Sequence, residues 1–139
     1  MNNFICKNKT RVIFGKVTDF QCRRLGDCTD CNHGAGLAVL HPVYYRKICD
    51  KGAAKLARFA TRVWDIPAAG KSEKALAKAG VEALADFIKE LGLPTTLKEL
   101  GVGDNLPWEE IAGSVPLTPG GYGKLTHKDV LDIFQEAMG

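Results

Sequence analysis

Apolar and polar positions alternate along most of this chain with a helical period. Leu37, Leu40, Tyr44 and Ile48 recur on one face of a segment that begins at Gly34. Pro42 falls within it, where a proline bends a helix or sets its first turn. A second helix is expected over about residues 52–64, with Leu56, Phe59, Ala60 and Val63 as its apolar stripe. Pro67 and Gly70 then mark a loop. The third helix is expected over about 72–91 and capped by Ser72. Its buried face is read as Val81, Leu84, Phe87, Ile88 and Leu91. Charged residues from Lys74 to Glu90 recur on the other side as a solvated face, with Lys78 and Glu82 spaced to pair. Gly92 followed by Pro94 is a helix stop. Thr96 and Glu99 have capping-box spacing, as do Thr126 and Asp129. Between them lies a Gly- and Pro-rich stretch holding one helical turn, Trp108 to Ala112. The last helix, about 127–138, buries Val130, Ile133, Phe134 and Ala137.

The first 32 residues break this pattern. Phe4-Ile5-Cys6 and Arg11-Val12-Ile13-Phe14 are short β-prone runs, so residues 1–16 read as a strand or hairpin. A two-stranded hairpin is marginal alone and needs another surface to pack on. Residues 17–32 hold no sustained period and read as an irregular junction. The fold class is therefore mainly α, a helical bundle of residues 33–139 after a short β-prone segment. Alternating βαβ units are absent, so no parallel sheet is expected.

Composition narrows the functional classes. The chain has 139 residues, enough for one domain with its own hydrophobic core. A formal charge of +3, with Lys and Arg scattered, argues against a nucleic-acid partner. The longest apolar run, Ala35 to Leu40, is far too short to span a bilayer, and the opening residues have no apolar signal core, so a cytoplasmic protein is expected. Five cysteines without a paired framework read as reduced thiols.

Candidate chemistry gathers near the junction. Cys28-x-x-Cys31 has zinc-like spacing, His33 follows two residues later, and Cys22, Asp27 and Asp30 add donors. Residues left around a junction, with no metal role, are the plainer explanation. His41 is expected as a partly buried, hydrogen-bonded side chain and His127 as solvent-facing. Gly120-Gly121-Tyr122-Gly123-Lys124 is not a P-loop: Leu125 stands where Ser or Thr belongs, and no strand precedes it. Trp64 and Trp108 read as core or boundary aromatics.

The run His33-Gly34-Ala35-Gly36-Leu37-Ala38-Val39-Leu40-His41-Pro42 resembles the last metal-ligand segment of the iron-containing alcohol dehydrogenases, close to the butanol dehydrogenase type. The resemblance continues through Ala57-Arg58-Phe59-Ala60, Val63-Trp64 and Leu91-Gly92-Leu93-Pro94-Thr95-Thr96-Leu97. It ends in Leu125-Thr126-His127-Lys128-Asp129-Val130-Leu131, so it covers about residues 29–139 in one collinear stretch. Residues 1–16 resemble the family's opening strand. The intervening nucleotide-binding part has no counterpart, which reads as an internal deletion with its junction near residues 17–28.

The resemblance implies a fold like the family's C-terminal helical domain. It also implies a reaction class, hydride transfer between NAD(P) and an alcohol or aldehyde at a bound iron or zinc ion. The family's metal is held by one Asp and three His. His33 matches the last His and is a remnant ligand. The preceding His would lie fourteen residues earlier, where this chain has Asp19. The other two ligands have no matching position. The resemblance therefore implies a folded domain that binds neither cofactor nor metal well and is not a competent dehydrogenase alone. Apolar faces that the family covers with its other half are expected to drive homo-oligomerisation, with the N-terminal strand taking part, or association with a full-length family member. The alternative is a small metal-binding or regulatory module built on His33 and the nearby cysteines Cys28 and Cys31.

Overall fold

The computed structural model describes residues 21–27, 29, 31–117 and 122–139. The expected N-terminal strand or hairpin, and the positions of Asp19, Cys28 and Asp30, lie outside these residues. The described part is helical. Residues 21–27 belong to α1. There follow α2 (His33–Ile48), α3 (Ala53–Val63), α4 (Glu73–Glu90), a 3-10 turn (Lys98–Leu100), α5 (Trp108–Gly113) and α6 (His127–Met138). No helix among the described residues is long and apolar enough to cross a membrane.

The expected caps are present. The Ser72 hydroxyl accepts the Ala75 N–H at 3.2 Å and opens α4. Thr126 and Asp129 satisfy each other's backbone in a complete capping box at the start of α6. At the 3-10 turn the box is shifted by one residue. Thr96 accepts the Glu99 N–H, but the Glu99 carboxylate reaches the Thr95 N–H at 2.7 Å. Helix α4 stops at Gly92, whose φ of 70° suits a residue without a Cβ, and the Leu93 N–H closes the turn on the Ile88 carbonyl.

The core has two parts. The larger joins α1, α2, the 97–115 stretch and α6, with Leu25, Leu40, Tyr44, Leu97, Ile133 and Phe134 at its centre. The smaller joins α3 and α4 through Leu56, Ala77 and Val81 beside Cys49 and Ala53, and Tyr45 packs against both. Helices α3 and α4 pack together, approaching so closely that a Cβ on Gly80 would stand 2.8 Å from the Ala60 Cβ.

Four expectations are corrected. Residues 21–27 are helical, not irregular, and bury Gln21, Cys22 and Leu25 completely. The inward face of α4 is Leu76, Ala77, Gly80, Val81 and Ile88, while Phe87 and Leu91 are 42% and 56% exposed. Gly80 sits where α3 approaches so closely that no larger side chain fits. Likewise Val63, expected in the stripe of α3, is 58% exposed. Finally, the Glu82 carboxylate is held by Arg46 of α2, with Nε and Nη2 donating at 2.7 and 2.8 Å, where the spacing had suggested Lys78 as partner.

Candidate functional site: the start of α2

Helix α2 begins at the residue the sequence singles out. Asn32 is its N-cap, and the Asn32 side chain accepts the Ala35 N–H at 3.2 Å. His33 is thus the first helical residue, and it is exposed. Its backbone is anchored from below, where the buried Cys22 thiol donates to the His33 carbonyl at 3.1 Å. A cap fixes the entry angle of the chain, and the thiol ties that entry to α1. The His33 imidazole therefore projects from a backbone position set by α1, the cap and α2 together.

Cys31 is half-buried beside this turn. A Cβ at Gly36 would stand 2.7 Å from the Cys22 Sγ and 3.7 Å from the Cys31 Sγ, so both sulfurs lie close to this glycine. Of the seven residues named as possible donors, the structure describes four, Cys22, Asp27, Cys31 and His33; Asp19, Cys28 and Asp30 lie outside the described residues. Among the described residues, no three His, Cys, Asp or Glu side chains gather as a metal-holding group. A catalytic metal normally takes three or more protein ligands. The donor set described does not fit the family's metal. The described residues also contain no strand followed by a glycine turn and helix of the dinucleotide-binding kind.

Two turns further along α2, His41 stacks on Tyr45 with ring centroids 5.6 Å apart and planes 14° from parallel. The two rings form one wall of a cleft of about 300 Å³ completed by Lys55, Leu56, Phe59, Leu84 and Ile88. Burial, and secondarily the neighbouring Tyr44, push the Tyr45 phenol up to about 12. It therefore stays protonated at neutral pH. Sequence reasoning missed this cleft, although the four-residue spacing of two aromatic rings on one helix was its available signal. His127 is exposed as expected, with Nε2 3.3 Å from the Val115 carbonyl. Both tryptophans are half-buried boundary residues. Trp108 donates to the Asp104 carbonyl at 3.2 Å, whereas the buried Trp64 Nε1 has no acceptor among the described residues.

Among the described residues the chain is an all-helical domain in which the HGAG motif opens the capped helix α2. Residues 21–138 match the Fe-containing alcohol dehydrogenase family, C-terminal, and the chain belongs to that family. It is 31% identical over 111 residues to probable NADH-dependent butanol dehydrogenase 1 of Bacillus subtilis (strain 168), covering 78% of this chain and 28% of that protein. It is 30% identical over 134 residues to NADH-dependent butanol dehydrogenase B of Clostridium acetobutylicum, covering 90% of this chain and 34% of that protein. Among solved structures, NADH-dependent butanol dehydrogenase A of Thermotoga maritima superposes with a TM-score of 0.77 at 26% identity, over 88% of this chain and 33% of that one. The chain thus spans about a third of the length of the relatives it matches. The family match starts at residue 21 and so takes in the described residues of α1.

Proposed function

We propose that this chain supplies the helical half of an NAD(P)-dependent alcohol or aldehyde oxidoreductase and turns nothing over alone. The observation that carries the reading is His33. It matches the family's last metal ligand and stands exposed on the capped first turn of α2, without two further donors gathered around it among the described residues. One imidazole does not hold a catalytic metal. The chain's contribution is positional: α2 presents His33 from a backbone fixed by Asn32 and Cys22. The remaining ligands and the nucleotide site then come from elsewhere, either a longer protein or a family member that pairs with it. Val63, Phe87, Leu91 and Leu93, all more than 40% exposed, provide an apolar surface for such an association or for a second copy of this chain.

The test has two arms. The purified chain, given ferrous iron, NADH and butyraldehyde, is expected to oxidise no NADH above background. A chimera in which residues 21–138 replace the matching part of the Bacillus subtilis relative is expected to be active, and to lose activity and bound metal together on His33→Ala. Turnover by the isolated chain overturns the claim that it is incomplete. An active chimera indifferent to His33→Ala overturns the role of His33.

A further inference from the structure

The geometry points to a modification site, independent of the dehydrogenase reading: we propose that Cys22 and Cys31 form a dithiol that closes into a disulfide, fastening α1 to the start of α2. Both sulfurs lie within 4 Å of the same point, 2.7 and 3.7 Å from where a Gly36 Cβ would stand, which brings Cys22 of α1 and Cys31 before α2 to one place in the fold. The space above Gly36 is what lets them approach. A side chain there would occupy the position through which the sulfurs must swing to reach bonding distance, about 2.05 Å.

Described residues between the two cysteines hold Cys31 against α1. The Thr29 hydroxyl donates to the Leu25 carbonyl at 2.7 Å and accepts the Cys31 N–H at 3.4 Å, which folds the exit from α1 back toward Cys31. The Cys31 carbonyl lies 3.7 Å from a Cβ placed on Gly26, so α1 rests directly against this residue. Closure exchanges the thiol hydrogen bond from Cys22 to His33 for a covalent tie.

Exposure sets the order of events. Cys22 is fully buried, whereas Cys31 is half-buried and the accessible partner. With a soluble disulfide such as oxidised glutathione as oxidant, the Cys31 sulfur attacks one glutathione sulfur. The glutathione S–S bond breaks, and one glutathione leaves carrying the Cys31 proton. The Cys22 sulfur then attacks Cys31 in the mixed disulfide. The second glutathione leaves with the Cys22 proton, and the two electrons lost by the protein reside in two glutathione thiols.

The experiment treats the whole native chain with oxidised glutathione, quenches with acid, and maps the cysteines by peptide mass spectrometry without reduction. The expected product has lost two hydrogens and contains the Cys22–Cys31 cross-link, reversed by reductant. In Cys22→Ser the reaction is expected to stop at glutathione on Cys31. Because the wild-type map does not depend on how the variant folds, it stands alone. A stable glutathione adduct on Cys31 in the wild-type chain, a Cys28–Cys31 bridge, or no oxidation of Cys22 would each overturn the proposal.

Discussion

Gly80 offers a sharp test of the packing between α3 and α4. Replacing a helical glycine with alanine normally favours the helix by up to about 1 kcal/mol. At Gly80 the added methyl would stand 2.8 Å from the Ala60 Cβ, 3.1 Å from its Cα and 3.2 Å from its N. Two of these three neighbours are backbone, so relief requires the helices to separate. Overpacking of this kind costs about 1–3 kcal/mol. The net expectation for Gly80→Ala is a loss of roughly 1–2 kcal/mol, the steric cost outweighing the helical gain. For a domain of this size that is a fall in Tm of roughly 3–10 °C. Gly113 is the control: it is helical, and a Cβ there meets nothing within 4 Å. Gly113→Ala is therefore expected to be neutral or stabilising. Thermal and urea unfolding followed by far-UV circular dichroism measure both. Ala60→Gly removes one of the three collisions, so adding Gly80→Ala to it is expected to do less harm than in the wild type. If Gly80→Ala stabilises the protein as much as Gly113→Ala does, the close crossing is wrong.

Acid should weaken the fold in a defined window. Hydrogen bonds from the Thr126 backbone and hydroxyl hold Asp129 below its usual value, and Arg46 does the same for Glu82. A depressed carboxylate contributes stability that is complete above its unfolded pKa, near 4, and is lost as pH falls through the folded one. Urea midpoints are thus expected to drop below about pH 4.5, and Thr126→Ala to cost about 1 kcal/mol at neutral pH with a shallower acid slope; an unchanged slope would contradict this origin. The exposed Val63, Phe87, Leu91 and Leu93 are expected to drive self-association. Light scattering should report a mass above the monomer that falls in Phe87→Lys/Leu91→Lys, and a wild-type monomer at high concentration would refute it.

How much of this could be read from the chain depends on how each element is stabilised. Helix α6 was legible to its ends because its capping box and apolar stripe agree. Helix α1 was not. Over residues 21–27 only Cys22 and Leu25 are apolar, too few to reveal a period, and the fully buried Gln21 disguises the inward face as polar. In α4 the extent was legible but the face was not, because Gly80 and Ala77 are buried for their smallness while the large Phe87 and Leu91 point outward. The motif located His33, but Cys22 donating to its carbonyl joins residues eleven apart in sequence, a contact that no local pattern announces. The His41–Tyr45 cleft needed three helices to be placed before it existed at all.

The last turn of α2 has a consequence at the opposite end of that helix. Adjacent residues there reach different helices: Arg46 grips Glu82 on α4, and Lys47 meets Asp129 and Asp132 on α6 at 3.3 and 2.9 Å. Turning α2 about its own axis, in either sense, would pull one of these ion pairs apart. The helix behaves as a shaft keyed on two sides at its base, with Cys22 and Asn32 steadying its tip. Torsional stiffness of this kind holds the backbone of His33 in place at the tip even though its side chain faces solvent.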